Sequence, residues 1–248
     1  MVVSILIAAV LAVVFMAVRV TIGAKDEKGG AIATLMKALA SVGFIMVAVI
    51  AIFMGGIDGK GIAVKPAIFI VAGLVMGLIG DIILDLKVVY RKSPEEGVYL
   101  TGGMVSFGIG HIFYFIAVLF YFGTEIISWS TIGICIAVAA VGAFAMVFGG
   151  ERLMKLKFGN FTIHSICYAF LLLFMAAIGI AVWALGAEKN AKVPVFTFGM
   201  ILFLLSDVVL TQMYFGGKPN DKTLCIINHS LYYAAQICIA SFVFYMVL

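Results

Sequence analysis

Two aspartates interrupt long apolar stretches of this sequence. Asp81 stands in Gly-Asp-Ile-Ile-Leu at 80–84, and Asp207 stands in Ser-Asp-Val-Val-Leu at 206–210. A carboxyl group inside a membrane costs about 2.5 to 3.5 kcal/mol on insertion scales, so one that persists there faces the bundle interior and has a partner or a task. Two carboxyl groups in a pocket of low dielectric do not both ionise easily, so one can serve as an acid while the other stays charged. We interpret the aspartates as a catalytic pair; the alternative is a structural role, with Lys37 as counter-ion.

Other polar residues lie mostly in the same half of the apolar segments and are candidates for contacting a substrate. They are Lys37, His111, Tyr114, Tyr168, Tyr232, Tyr233 and Gln236. The amide of Gln236 must find hydrogen-bond partners inside a membrane. The histidine and the tyrosines also have an ordinary interpretation as packed core residues. We expect this set to bind a water molecule or a substrate hydroxyl, and Lys37 to bind a phosphate.

Three further ionisable residues are expected at the membrane interface instead. Asp85 lies one turn beyond Asp81 and close to Lys87, while His164 and His229 lie near predicted helix starts. We therefore leave these residues out of the predicted site.

The sequence contains no familiar metal or nucleotide motif. Its four cysteines, Cys135, Cys167, Cys225 and Cys238, are scattered without a CxxC spacing, which is typical of small buried side chains rather than of metal sites or disulfides. No HExxH, GxSxG, P-loop or Rossmann pattern occurs. We predict no metal and no cofactor; a metal-dependent alternative needs the three histidines and an aspartate to converge on one ion.

The elements that position these residues must be membrane helices. Of the 248 residues 65% are apolar and 11% are charged, whereas soluble domains have about half and a quarter. Apolar runs recur that are long enough for a bilayer, which needs roughly 20 helical residues. The run at 2–18 is interpreted as a first helix and not as a signal peptide. The predicted fold is all-α, a single integral membrane domain over 1–248, with helices at 2–22, 31–54, 64–88, 98–122, 126–149, 159–185, 194–215 and 223–247.

The distribution of basic residues predicts the orientation. Eleven lie in or beside the loops that join helices 1–2, 3–4, 5–6 and 7–8: Arg19, Lys25, Lys28, Lys87, Arg91, Lys92, Arg152, Lys155, Lys157, Lys218 and Lys222. Four lie on the other side: Lys60, Lys65, Lys189 and Lys192. Because cytoplasmic loops carry the excess of basic residues, we predict both termini outside the cell membrane and a site that opens toward the cytoplasm. The net charge of +4 therefore reports on orientation, and nucleic acid is not an expected partner.

The two halves of the chain resemble each other. The aspartate motifs of predicted helices 3 and 7 are each followed by a helix with a similar pair of residues, His-Ile-Phe-Tyr at 111–114 and His-Ser-Leu-Tyr at 229–232. Four helices separate the matching elements, so a 4+4 duplication would be parallel. Chance similarity between apolar segments explains the same pattern.

An ordered set of short motifs resembles a known family. The motifs are Gly80-Asp81-x-x-Leu84, Phe107-x-x-x-His111-x-x-Tyr114, Phe203-x-x-Ser206-Asp207-x-x-Leu210 and Tyr232-Tyr233-x-x-Gln236. Together with Lys37 and Tyr168 they resemble the YhhN-like membrane proteins, which include lysoplasmalogenase. The resemblance adds Ser206 to the substrate-binding candidates. Lys37 is followed by Ala38 where this family leads us to expect proline.

The resemblance implies an eight-helix protein and a lipid substrate. Members hydrolyse the vinyl ether bond of lysoplasmalogens, releasing a fatty aldehyde and a glycerophospho-base. Such bonds are hydrolysed by protonation of the β-carbon, which requires a strong and well-placed acid, and the aspartate pair suits that role. The alternative is a transporter or lipid-binding protein, because parallel repeats with polar sites near mid-membrane also suit alternating access. The expected partners are a lysophospholipid and membrane lipids.

Overall fold

The described part of the chain is entirely helical. The computed structural model describes residues 1–23, 25–57, 64–90, 96–186, 193–219 and 221–247, and no strand occurs in them. The helices are α1 (Val2–Val18), α2 (Glu27–Ile57), α3 (Val64–Val89), α4 (Glu96–Ile126), α5 (Trp129–Leu153), α6 (Thr162–Gly186), α7 (Val193–Phe215) and α8 (Lys222–Val247). Short π-helical and 3₁₀ segments occur at Arg19–Gly23 and Gly159–Phe161.

All eight α-helices are long and apolar enough to cross a membrane. The predicted fold class is therefore confirmed: the molecule is a multi-pass bundle. Several residues that entered the orientation argument, Lys60, Arg91, Lys92, Lys189 and Lys192, lie outside the described residues, and the orientation stays a prediction.

Local capping explains where several helices begin and end. The Asp26 carboxylate accepts the backbone N–H of Gly29 at 2.6 Å, so α2 starts four residues before its predicted start at 31. The Ser128 side chain accepts the backbone N–H of Thr131 and caps α5. Gly123 has φ 69°, a left-handed conformation that glycine adopts without strain, and α4 bends there.

Helix α8 lies at the centre of the bundle. It packs against α7, α2, α1 and α3. In its membrane-spanning stretch 67% of the residues are buried, compared with 17% for α1. In the described structure α5 also has an outer position, where it packs against α6. Groups on α8 are thus placed to join the first and second halves of the chain.

The packing order is the one that a duplication requires. Helices α1 to α4 pack in sequence, as do α5 to α8, and the contact of α2 with α8 matches that of α6 with α4. The halves are not equivalent, because α8 packs closely on α1 and α3, whereas across the described ranges the backbone of α4 does not approach α5 or α7 to the same extent. The 4+4 repeat stays a prediction.

Two glycines allow α3 and α4 to approach closely. A Cβ atom added to Gly110 would lie 3.0 Å from the carbonyl oxygen of Gly73, which is shorter than the usual contact distance of a Cβ atom. These two helices therefore pack closely through small residues. It brings the face of α4 that carries Tyr114 against the helix that carries Asp81.

Candidate active site in the bundle

A chain of alternating charges is buried between α2 and α3. The Nζ atom of Lys37 lies 3.2 Å from Oδ1 of Asp81 and 3.2 Å from Oδ1 of Asp85. The three residues are 6%, 2% and 3% exposed. The guanidinium of Arg19 lies 3.4 Å from the second oxygen of Asp85. The two carboxyl groups share one cation because residues four apart lie on the same face of a helix.

Asp81 receives two hydroxyl donors in addition to the ammonium. Ser41 donates to its Oδ2 at 2.6 Å, and the Tyr232 hydroxyl donates to the same atom at 2.8 Å. The Gln236 amide donates to the Tyr232 oxygen at 3.0 Å, and Tyr114 donates to the Gln236 carbonyl oxygen at 3.2 Å. A cation and hydroxyl donors are the partners that suit an ionised carboxylate.

Asp207 has a different environment. Its Oδ2 accepts the hydroxyl of Tyr168 at 2.6 Å, and no cation lies within ion-pair distance of it in the described structure. The preceding residue, Ser206, is fixed by Asn228, whose amide donates to the Ser206 carbonyl oxygen at 2.8 Å and lies 3.1 Å from its hydroxyl oxygen. This contact ties α7 to α8 next to the carboxyl group.

Two cavities meet at Asp207. The polar cavity has a volume of about 40 Å³ and is bordered by Arg19, Lys37, Asp81, Asp85, Ser206, Asp207, Asn228, His229 and Tyr232, among others. The apolar cavity has a volume of about 330 Å³ and lies mainly between hydrophobic side chains of α4, α5, α6 and α7. Asp207 borders both, together with Leu84, Phe107, Leu210 and Tyr214. The polar cavity can hold a water molecule, and the apolar one is within the usual size range of ligand pockets.

The apolar cavity reaches the surface beside the end of α5. Its rim includes Leu153 and Met154, which are 86% and 46% exposed. Tyr168 and Leu172 line its wall on α6. An apolar ligand can therefore enter between helices and reach the carboxyl group of Asp207.

The structure brings six of the ten predicted site residues together around the cavities. Lys37, Asp81, Ser206, Asp207 and Tyr232 border the polar cavity, and Tyr168 borders the apolar cavity. The two carboxyl groups face the same polar cavity.

The other four predicted site residues contact the residues that border the cavities, directly or through one neighbour, without bordering either cavity themselves. Tyr114 and Gln236 belong to the hydrogen-bond chain that ends at Asp81. Tyr233 donates to the Lys37 carbonyl oxygen at 3.4 Å. His111 has its Nδ1 atom 2.8 Å from the Phe107 carbonyl oxygen and its ring against Phe203. These side chains border neither cavity, so their direct contact with a substrate stays a prediction.

Two expectations need correction. Asp85 is not an interfacial charge, because it is buried and ion-paired with Lys37 and Arg19. His229 is also buried and borders the polar cavity. In the described structure α3 packs mainly on α2, α4 and α8, and α7 packs mainly on α6 and α8. The aspartates Asp81 and Asp207 therefore meet across a cavity that α8 completes.

Arg19 is the residue that sequence reasoning missed. It lies inside the predicted first helix, 2–22, and was counted only as a basic residue beside the first loop. In the structure it begins the π-helical segment Arg19–Gly23 that continues α1. The four-residue spacing of Asp81 and Asp85 was a usable signal that both face the same cation. No comparable signal marked Arg19.

The histidines do not form a metal site in the described residues. No group of three His, Cys, Asp or Glu side chains is arranged there to hold an ion. His164 is exposed, while His229 has its Nδ1 atom 2.8 Å from the carbonyl oxygen of Cys225.

Comparison with known protein families gave a match over most of the chain. The model of the YhhN family matches residues 32–243, nearly the whole chain. The chain belongs to the YhhN family. The YhhN match covers both aspartates and every predicted site residue, but α1 and Arg19 lie before its first residue. Neither the curated proteins nor the solved structures gave a match to the chain.

Proposed function

We propose that this YhhN-family protein is a membrane lipid hydrolase that cleaves the vinyl ether bond of lysoplasmalogens. The products are a fatty aldehyde and a glycerophospho-base. One observation carries the proposal: an apolar cavity of about 330 Å³ ends at the carboxyl group of Asp207, which also faces the polar cavity of Asp81. Family membership supports hydrolysis as the type of reaction.

The contacts of the two aspartates suggest which one is the acid. Arg19 and Lys37 supply two positive charges, and Asp81 and Asp85 supply two negative ones, so the ion-paired cluster is balanced. An ionised Asp207 would add an uncompensated charge next to an apolar cavity, which is costly. We therefore assign the protonated state to Asp207 and the ionised state to Asp81.

The reaction then follows in balanced steps. Asp207 transfers its proton to the β-carbon of the vinyl ether, and the double-bond electrons form the new C–H bond. The resulting oxocarbenium ion is stabilised by the negative charge of Asp81 across the polar cavity. Water adds to the cation and returns a proton to Asp207, giving a hemiacetal. The hemiacetal loses the glycerol oxygen as an alcohol and becomes the aldehyde.

Tyr168 and Tyr232 are the positioning residues in this scheme. Tyr168 holds one oxygen of Asp207 at 2.6 Å and leaves the other oxygen for the substrate. Tyr232 holds Asp81 at 2.8 Å and borders the cavity where water would add. Fixing both carboxyl groups in advance lowers the reorganisation that the reaction requires.

A second candidate is a transporter or lipid-binding protein. The observation that favours it is the matching contact of α2 with α8 and of α6 with α4, which gives two similar halves around a polar site. Transport predicts that the lipid passes unchanged, whereas hydrolysis predicts a new aldehyde.

The deciding experiment is an aldehyde assay on detergent-purified protein with lysoplasmalogen, with and without a chelator. The proposal expects aldehyde release that persists with the chelator. A matched lysophospholipid with a saturated ether chain is the control, because it lacks the carbon–carbon double bond that accepts the proton. Absence of aldehyde from a folded preparation that binds the lipid would contradict the proposal and favour the second candidate.

A further inference from the structure

One hydroxyl group beside the apolar cavity has no partner within the protein. Ser165 lies in the first turn of α6 and is 6% exposed. Of the buried side-chain nitrogen and oxygen atoms in the described residues, the Oγ atom of Ser165 is the one without a hydrogen bond. Ser165 lines the apolar cavity together with Tyr168 and Asp207. A buried hydroxyl without a partner is costly, so this group needs an explanation in terms of a bound molecule.

Hydroxyl groups elsewhere in the helices bond to their own backbone. Thr34 donates to the Gly30 carbonyl oxygen at 3.0 Å. Thr211, which also lines the apolar cavity, donates to the Val208 carbonyl oxygen at 2.7 Å. This is the usual way in which a helical serine or threonine satisfies its hydroxyl. Because Ser165 makes no such bond, its side chain can rotate toward an occupant of the cavity without breaking a hydrogen bond.

Ser165 lies toward the opening of the apolar cavity. The cavity opens beside the end of α5, and the short connection to α6 places the start of α6 on the same side of the bundle. Ser165, Tyr168 and Leu172 line the cavity in this order along α6, over about 10 Å of helix rise. Tyr168 holds Asp207 at 2.6 Å. A lipid with its hydrocarbon chain toward Leu172 and its reactive bond at Asp207 would therefore have its glycerol near Ser165.

The surroundings of Ser165 favour a neutral hydroxyl as its ligand. No lysine, arginine or histidine occurs among the described residues that line the apolar cavity, so a phosphate would lack charged donors there. A methylene group would leave the serine hydroxyl unpaired. A hydrogen bond to the vinyl ether oxygen would withdraw the electrons that the β-carbon needs in order to accept a proton. A hydroxyl of the lipid has neither drawback, because it both donates and accepts a hydrogen bond.

We infer that Ser165 binds the free glycerol hydroxyl of the lysophospholipid. The inference rests on the proposed function, which places the vinyl ether at Asp207. The carbon that carries this hydroxyl is bonded to the carbon that carries the ether oxygen. Ser165 is likewise close to the acid, because it lies one turn from Tyr168 on α6 and Tyr168 holds Asp207. Ser165 is thus a substrate-binding residue and takes no part in the proton transfer.

The test compares two lipids that the protein binds without turnover. The first is a glycerophosphocholine with one saturated alkyl ether chain and a free glycerol hydroxyl, and the second is its deoxy analogue, in which hydrogen replaces that hydroxyl. We expect Ser165→Ala to weaken binding of the hydroxyl lipid about fivefold, as loss of one neutral hydrogen bond does, and to leave the affinity for the deoxy lipid unchanged. The variant should fold, because the native hydroxyl makes no hydrogen bond within the protein.

The matched control is Thr211→Val. This substitution also removes a hydroxyl from the wall of the apolar cavity, but one that is bonded to the Val208 carbonyl oxygen. The ratio of the two lipid affinities should therefore keep its wild-type value in Thr211→Val. A second variant at the site is Ser165→Cys, which keeps a small side chain with a much weaker donor. We expect it to lower the affinity ratio as Ser165→Ala does.

Two outcomes would overturn the inference. One is a wild-type affinity ratio in Ser165→Ala and Ser165→Cys; an equal loss for both lipids belongs here and would assign the hydroxyl to a structural water molecule. The other is an equal fall of the ratio in Thr211→Val, which would make the discrimination a general property of the cavity. If the ratio falls at Ser165 alone but wild-type protein releases no aldehyde from lysoplasmalogen, the proposed activity fails and the hydroxyl site at Ser165 remains.

Discussion

The two aspartates should respond differently to replacement by asparagine. Asp207→Asn keeps the shape of the side chain, and its carbonyl oxygen can still accept the Tyr168 hydroxyl that lies at 2.6 Å. If Asp207 is the neutral acid, the change removes a transferable proton and alters no charge. We expect aldehyde release to fall by about 10² to 10⁴, the usual contribution of a general acid, with little change in thermal stability.

Asp81→Asn should reduce both activity and stability. It leaves Lys37 with Asp85 as its ion-pair partner and breaks the charge balance of a buried cluster. Removing one partner of a buried ion pair typically costs about 3 to 5 kcal/mol. The thermal midpoint of the detergent-purified variant should therefore be clearly lower than that of wild type and of Asp207→Asn.

The paired measurement is initial aldehyde release from lysoplasmalogen together with thermal unfolding of the same preparations. Near wild-type turnover in Asp207→Asn would refute its role as the acid. An equal loss of stability in both variants would refute the assignment of different charge states to the two carboxyl groups.

The remaining predictions concern the cluster, the apolar cavity and the orientation. Asp85→Asn should lower the thermal midpoint, because it removes two ion-pair contacts; an unchanged unfolding curve would mean that the cluster is not formed. Gly149→Leu should raise KM for long-chain lysoplasmalogen more than it lowers kcat, because a Cβ there meets open space and the residue lines the apolar cavity; unchanged KM would exclude the chain from that cavity. Cysteines substituted beside Lys60 should react with a membrane-impermeant reagent on intact cells and those beside Lys92 should not; the reverse pattern would invert the orientation.

Much of the fold could be predicted from sequence because each membrane helix corresponds to one continuous apolar run along the chain. A bilayer demands about 20 consecutive apolar residues per helix, and the predicted spans agree with the observed helices to within a few residues at most ends. The main differences have local causes that depend on side-chain geometry. Asp26 caps α2 and moves its start to Glu27, and the last turn of the predicted first helix is π-helical, at Arg19–Gly23.

The site was only partly predictable. The position of each residue along its helix was enough to predict that Asp81, Asp207 and Lys37 lie near one another, and all three border the polar cavity. The same criterion wrongly placed Asp85 at the membrane interface. The angular position of a residue around its helix decides whether it faces the core, and that position depends on packing. The boundary between the two cavities at Asp207 depends on packing as well, because it arises from side chains of three helices, α3, α4 and α7.

The shared ammonium of Lys37 has a consequence for how the protein enters the membrane. Crossing the bilayer singly, α2 would carry one buried charge and α3 would carry two, each costing about 2.5 to 3.5 kcal/mol. When the two helices insert as a hairpin, Lys37 of α2 pairs with Asp81 and Asp85 of α3, and these charges do not face the lipid. We therefore expect α2 and α3 to insert as a pair, so that loss of Lys37 lowers the yield of inserted protein before any lipid is bound.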